Sequence, residues 1–557
     1  MSTHPNPRAP RTSRVYDDPY SEGPPYDSWT PPDARDIANA SYAHRLGISL
    51  DDIALFAAMA PGFETAHTQV AQAWLDARPA PEPIAVVRGA DPWNAVAYEL
   101  HLPATAEGSL DGLRVALKET IAAERGAPVG AGSALLNGYL APYAASVVTR
   151  LRNAGAVISY TTRADNLGVA ITGDSSADGV VLNPWSRRHT PGGSSAGAAA
   201  AVAGGLADIA IMVDQAGSGR VPAAWCGLLS FMPTQGIIPM TGILGFTPRQ
   251  DRVAVAGLRV SDVARAASAI SGGDGHDLLQ GPHCPPVDWS KDVDWSKELV
   301  DWSAGLAADI RGLRIGVVEE SLSPAACDPA VAELIEERIR DLAALGADIH
   351  RVNIPEYTLA PSVAMIFTAH GGVRGMLDTQ LGSIPTVMRG DARLVRHISD
   401  RRRAHPEWLA RTVQLTAAAA GHHGGQPPGH WISMAQDLIP LLTEAWDAPI
   451  LNSGPSQVDV LLTPTVPTTP PTVPRSDMTP EQLLSRRLGS GIWHTAVTNL
   501  TGRPAVTVPA GRISGLPIGM QVTTLPHRER LLLRIAVALE PAGGHPAAPH
   551  DEETHSS

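Results

Sequence analysis

The stretch DQAGSGRVPAAWCG, Asp214–Gly227, holds Ser218 between two glycines in a run of small residues. Small neighbours around a hydroxyl serve one of two ends: a turn with positive φ, or a place where a second molecule must approach the backbone closely. In the second case Ser218 is a nucleophile. The run is not the G-x-S-x-G elbow of the α/β-hydrolases, because Ala216 and Arg220 stand at its outer glycine positions. No Gly-Lys-Ser/Thr ending marks a phosphate loop either. A serine nucleophile requires a group that takes its proton. Upstream, TPGGSSAGAAAAVAGGLADIAI, Thr190–Ile211, is a glycine-serine turn containing Ser194 and Ser195 that runs into an alanine-rich helix. Further back, Lys118 ends the apolar run of GLRVALKET. A lysine there is either a surface residue whose stem lies along apolar neighbours or a buried amine kept neutral by desolvation.

Other reactive side chains have plainer readings. Cys226, in PAAWCG, reads as a small buried hydrophobe rather than a second nucleophile. His422, His423 and His430, in GHHGGQPPGH, suggest a polar loop near a pocket, since adjacent histidines point in different directions on regular backbone. Asp214 and Arg220 flank the nucleophile and are expected to brace its loop by hydrogen bonds, with Ser195 and Asp165 in similar supporting positions. Neither a metal nor another cofactor is expected.

A chain of 557 residues with 44% hydrophobic content buries a large core, and the formal net charge of −13 leaves no extended basic surface beyond the short DRRRAH at Asp400–His405. Nucleic acid is therefore not an expected partner, and small-molecule chemistry fits better. The three cysteines, Cys226, Cys284 and Cys327, are odd in number and far apart, which argues against a disulfide scaffold or a zinc knuckle and makes a reducing cytoplasm the default. Neither an export signal nor a membrane span is expected. A homodimer is compatible with everything above.

The elements that must position these residues follow from periodicity. Residues 1–32 are rich in Pro, Ser, Asp and Tyr and read as a disordered or loosely docked arm, and 542–557 as a similar tail. Residues 33–85 carry apolar positions at three- and four-residue spacing and form a helical extension. From GLRVALKET onward, β-branched runs such as GAVISYTT, GLRIGVVEE, VDVLLTPTV and PIGMQVTT alternate with helical segments such as PAVAELIEERIRDLAALGA, which predicts one large α/β domain over 86–541, a mixed sheet with helices on both faces. Within it, 284–305 repeats Asp-Trp-Ser three times, at Trp289, Trp295 and Trp302, and reads as a surface insertion. The proline-rich TPTVPTTPPTVP, Thr463–Pro474, is expected as an extended loop on a cavity wall.

Together these residues resemble the amidase signature family. Its Gly-Gly-Ser-Ser-Gly-Gly block is met by Gly192, Gly193, Ser194, Ser195 and Gly197, and its Asp-x-Gly-Gly-Ser-x-Arg-x-Pro-Ala block by Asp214, Gly217, Ser218, Arg220, Pro222 and Ala223. NPWSRRHTPGG, MPTQGIIPMTG, VDVLLTPTVP and NLTGRPAVTVPAGRISGLPIGMQV follow family blocks in order. The form of the serine loop, LTAAAAGHHGG and the helical N-terminus look like bacterial amidases of aryl and alkyl carboxamides. The resemblance implies a serine amidase with Ser218 as nucleophile, Ser194 as a cis-configured bridge and Lys118 as base. It also implies an oxyanion hole of backbone N–H groups at Gln215, Ala216, Gly217 and Ser218.

Several positions depart from the pattern. Ala216 and Gly219 replace glycine and isoleucine, Ala196 a glycine, Met232 a lysine, and Glu119-Thr120 the usual Asp-Asn after Lys118. Gly219 is expected to open room beside the nucleophile, and the Ala216 methyl to tighten the oxyanion loop. Two alternatives stay open: acyl transfer to an amine through the same acyl-enzyme, and a retired amidase kept as a binding protein. The absence of charge in MPTQGIIPMTGILGF and LTPTVPTTPPTVP predicts an apolar pocket that disfavours a charged acyl group, and the acidic balance disfavours tRNA-linked substrates.

Overall fold

The computed structural model describes residues 29–277, 279–280, 309–377, 391–422, 424–427, 429–488 and 491–549. Residues 1–28 of the expected arm 1–32, the Trp-rich insertion 284–305, His423 and the last residues of the tail lie outside them. The chain divides into two compact units, 1–82 and 83–557.

The first unit is helical. Its helices are Ala34–His44, Leu50–Met59 and Glu64–Ala77, the first two beginning where the sequence supplies side-chain caps. Asp33 and Asp36 bond each other's backbone N–H groups reciprocally, and Ser49 Oγ accepts from the Asp52 amide at 3.1 Å. Trp29 stacks on His67 with ring centres 4.2 Å apart.

The second unit is built on a twelve-stranded mixed sheet. In chain order its strands are β1 (Val87–Arg88), β2 (Val96–Leu102), β3 (Arg114–Lys118), β4 (Val157–Thr162), β5 (Ile209–Asp214) and β6 (Leu229–Met232). They continue with β7 (Arg252–Gly257), β8 (Arg314–Val318), β9 (Asp348–Val352), β10 (Val460–Pro464), β11 (Ala505–Ile513) and β12 (Leu516–Thr523). Across the sheet they run β1-β2-β4-β3-β5-β7-β6-β11-β12-β10-β8-β9. Parallel pairs at β4-β3-β5 and β10-β8-β9 are joined through an antiparallel centre. β3 and β5 end at Lys118 and Asp214, so two strands adjacent in the sheet deliver the candidate base and the start of the nucleophile loop side by side.

Side-chain alternation assigns the two faces. Val115 and Leu117 of β3, Ile209, Ile211 and Val213 of β5, and Val253 and Val255 of β7 enter one core together with Val147, Val148 and Leu151 of helix Ser146–Asn153 and Ile335 and Leu342 of helix Pro329–Ala344. The intervening residues, Ala116, Ala210, Met212, Ala254 and Ala256, face a second core with helix Ala196–Ala203. Small residues on both surfaces let that helix lie close to the sheet. A Cβ at Gly197 would stand 2.2 Å from the Ala95 carbonyl oxygen, so this glycine is required by close approach.

Residues 542–549, expected within the loose tail, pack on this unit instead. The His545 amide donates to Leu258 O at 2.8 Å and the Ala548 amide to Ala203 O at 2.9 Å, and both side chains are buried. Alternating polar composition hid two residues that fit the edge of the alanine-rich layer. No helix among the described residues is long and apolar enough to cross a membrane.

Candidate active site

Lys118, Ser194 and Ser218 are all buried, at 3%, 1% and 4% exposure. Lys118 Nζ lies 2.8 Å from Ser194 Oγ and donates to Val213 O at 3.4 Å. Burial lowers the ammonium's pKa to about 8, against an opposing pull from the Asp165, Asp214, Asp251 and Glu119 carboxyls. Of the two sequence readings of this lysine, the buried one holds. An amine that sheds its proton near neutrality beside a hydroxyl has the geometry of a general base.

The Gly193–Ser194 peptide is cis. The surrounding loop is held by Asp165, whose Oδ2 accepts from the Gly173 amide at 2.9 Å and whose Oδ1 accepts from the Ser175 hydroxyl at 2.6 Å. The Asp165 amide donates to Ser194 O at 3.1 Å. The Ser195 amide donates to Ser218 O at 3.2 Å and its hydroxyl to Val213 O at 3.4 Å, tying the two serine loops together. Glu119 accepts from the Gly132 and Ala164 amides at 2.7 and 2.8 Å, and burial raises its carboxyl to about 7. It joins loops behind Lys118.

Asp214 and Arg220 form a fully buried pair. Arg220 Nε and Nη2 donate to Asp214 Oδ2 and Oδ1, both at 2.9 Å, and the other guanidinium N–H groups reach Thr498, Gln521 and Asn499. Every donor of the fork has an acceptor. Asp214 in turn accepts from the backbone N–H groups of Gly217, Gly219 and Arg220. Burial alone would raise this carboxyl, yet the Arg220 charge and these bonds hold it well below the usual carboxylate range. The loop around Ser218 is thus wound on one carboxylate. Arg220→Met leaves Asp214 buried and unpaired, so it is expected to cost about 3–5 kcal/mol of stability by urea unfolding. Because the folded carboxyl titrates below its unfolded value of about 3.9, the Asp214 contribution is complete above that pH and is lost as pH falls.

This winding corrects one expectation. The Gly217 amide, expected in the oxyanion hole, is committed to Asp214 Oδ1 at 2.8 Å. Gly217 itself has φ +139°, and a Cβ there would meet Thr495 Oγ1 at 2.4 Å. Gly219 opens no room either: a Cβ at this position would stand 2.7 Å from Ala254 Cβ, so the sheet's alanine layer fills the space.

Ser218 opens onto a small cavity of about 60 Å³, whose apolar lining includes Val169, Ile171, Ala216, Met365 and Ile492 and whose polar lining includes Gln215, Thr368, Thr416 and Arg487. The segments expected around the pocket, 232–246 and 462–474, contribute nothing to this lining. The proline-rich segment buttresses instead: Pro471 O accepts from the Thr190 amide at 2.9 Å and Thr468 O from Trp225 Nε1 at 2.8 Å. Met365 and Thr416 also line a wider apolar vestibule of about 620 Å³ that includes His370, His422 and Trp431. His422 is therefore near the pocket, as its loop suggested. Cys226 is fully buried, and burial pushes its thiol far above the usual range, so it is no rival to Ser218. Sequence reasoning missed Met365, Thr368, Arg487 and Ile492, which lie on segments without a recognisable motif, and did not single out Thr416 within LTAAAAGHHGG.

A family model described as Amidase matches residues 92–533. The chain belongs to the amidase family. It is an amidohydrolase acting on carbon–nitrogen bonds, and the mixed sheet flanked by helices is the fold of its solved relatives. Among curated relatives it is 32% identical to a glutamyl-tRNA(Gln) amidotransferase subunit of Symbiobacterium thermophilum, over 79% of this chain and 84% of that protein. It is 29% identical to an enantioselective amidase of Rhodococcus rhodochrous, over 95% of this chain and 99% of that protein. The solved peptide amidase of Stenotrophomonas maltophilia superposes with a TM-score of 0.62 at 25% identity, covering 80% of this amidase and 85% of that chain.

Proposed function

We propose that this amidase hydrolyses a small carboxamide through an acyl-enzyme on Ser218. Neutral Lys118 accepts the Ser194 proton while Ser194 accepts that of Ser218, and Ser218 Oγ bonds the carbonyl carbon. Amides of Gln215, Ala216 and Ser218 stabilise the oxyanion. As the C–N bond breaks, Ser194 returns a proton to the leaving nitrogen, and ammonia or an amine departs. Water, deprotonated through the same relay, then releases the acid.

The observation that carries this reading is the mostly apolar lining of the cavity at Ser218, together with the wider apolar vestibule that shares Met365 and Thr416 with it. The match to the enantioselective amidase adds support: it leaves out at most a twentieth of this chain and so runs through most of the helical unit, whereas the amidotransferase match covers about four-fifths. The identity to amidotransferase proteins favours one alternative, transfer of the acyl group or nitrogen in place of release to water. Turnover of a panel of aryl and alkyl carboxamides, with hydroxylamine added as a competing acceptor, tests both. Free acid as the main product is expected. Hydroxamate formed in preference to acid at millimolar acceptor favours transfer, and no turnover of any carboxamide overturns the proposal.

A further inference from the structure

Resting on the carboxamide reading above, we propose that the cavity at Ser218 takes a carboxamide whose acyl group ends in a carboxylate, with Arg487 as the residue that receives it. Asp174, with its side chain fully buried, is approached by two guanidinium groups: Arg487 Nε donates to Oδ1 at 2.7 Å and Arg486 Nε to Oδ2 at 3.1 Å. Thr172 Oγ1 donates to the same carboxylate at 2.7 Å. Two guanidinium groups therefore meet on the Asp174 carboxylate, with the buried Asp165 carboxyl also acting on it.

The two arginines differ in what else they meet. Arg486 Nη2 bonds the Thr472 carbonyl and its side chain does not line the cavity. Arg487 spends Nε on the Asp174 carboxylate and Nη2 on the Asp174 carbonyl at 2.7 Å, and its side chain lines the cavity with Ser218. With two of its three nitrogens anchored, the guanidinium is fixed in place, and Nη1 has N–H donors to offer. Among the described residues it is the only charged group of the lining. A fixed guanidinium in a mostly apolar wall selects an anionic oxygen acceptor, because a charge-assisted hydrogen bond gains strength where water is scarce. The apolar residues that share the lining with Arg487 and Ser218 fit an acyl body that carries a carboxylate, as in a dicarboxylic monoamide.

The test compares matched substrates, benzamide with 4-carboxybenzamide and butyramide with succinamate, on the full chain, on Arg487→Met and on Arg487→Lys. The parent enzyme is expected to favour the carboxylated member of each pair in kcat/KM by about tenfold or more. Arg487→Met is expected to abolish that preference by raising KM for the carboxylated member about tenfold more than for the neutral one, and to keep Ser218 labelling by a fluorophosphonate; Arg487→Lys restores part of it. A parent enzyme that prefers the neutral amides overturns the proposal while leaving the carboxamide reading standing. Arg487→Met that slows both members equally with labelling intact also overturns it, making Arg487 a brace for Asp174. Terephthalate supplies a readout independent of turnover: it should protect Ser218 from the probe in the parent and not in Arg487→Met, and equal protection in both counts against the assignment.

Discussion

Ser218→Ala takes up no fluorophosphonate and loses amide turnover by a factor on the order of 10⁴ to 10⁶, because the group that forms the acyl bond is gone while the fold keeps every bond that shapes its loop. The Ser218 side chain bears none of the loop's support. Asp214 winds the backbone through the Gly217, Gly219 and Arg220 amides, and Arg220 ties that carboxylate to Thr498, Asn499 and Gln521. Unfolding midpoints should accordingly match those of the parent within experimental error. Intact-mass and peptide mapping of the labelled parent locates the adduct. An undiminished adduct on another residue of the Ser218→Ala protein would refute the nucleophile assignment, and Cys226, sealed in the core, cannot supply it without unfolding.

Lys118→Ala is expected to cost several orders of magnitude in acylation, and the parent rate should rise with pH until the lysine is neutral. The direction follows from burial, which disfavours the ammonium and brings its pKa to about 8. Only the neutral amine accepts the Ser194 proton, so at pH 7 about one molecule in ten is competent, and the acylation rate climbs about tenfold per pH unit below pH 7 before levelling above about 9. Single-turnover acylation against pH measures this directly. A rate that peaks at pH 5 contradicts the relay. Lys118→Met, which keeps the volume without the amine, separates loss of the base from loss of packing.

The same four carboxyls that raise the lysine's affinity for its proton do other work in the fold. Asp165 secures the Ser194 loop, Glu119 joins the Gly132 and Ala164 loops, and Asp214 winds the Ser218 loop. Asp251 accepts from the Phe246 and Thr247 amides, and burial raises its carboxyl to about 7. The Glu119 departure from the family pattern thus leaves a carboxyl beside the base, bonded to backbone amides in a way that its longer side chain allows.

How much of this was legible in the residues follows from the range over which each feature is encoded. From the sequence, Ser218 stood out by its small neighbours, Asp214 and Arg220 were expected as braces, and the resemblance to the amidase signature family implied Ser218, Ser194 and Lys118 as one unit, because glycine and serine spacing is a local feature of the chain; for Lys118 the residues alone left a surface and a buried reading open. It also placed the alternating strands and helices, since a β-branched run such as VISYTT and an amphipathic run such as AVAELIEERIRDLAAL carry their own periods. Tertiary structure alone decided that the Gly217 amide turns to Asp214, that Ala254 fills the space at Gly219, and that 462–474 buttresses the serine loop instead of lining the cavity. It alone brought Arg487 to Asp174 across 313 residues and set Met365, Thr416 and Ile492 around Ser218. The physical reason is that a cavity wall is the space left where separate helices fail to meet. Each of those helices shows an apolar face in its own sequence, but which residues border the gap depends on how all of them dock on the sheet at once.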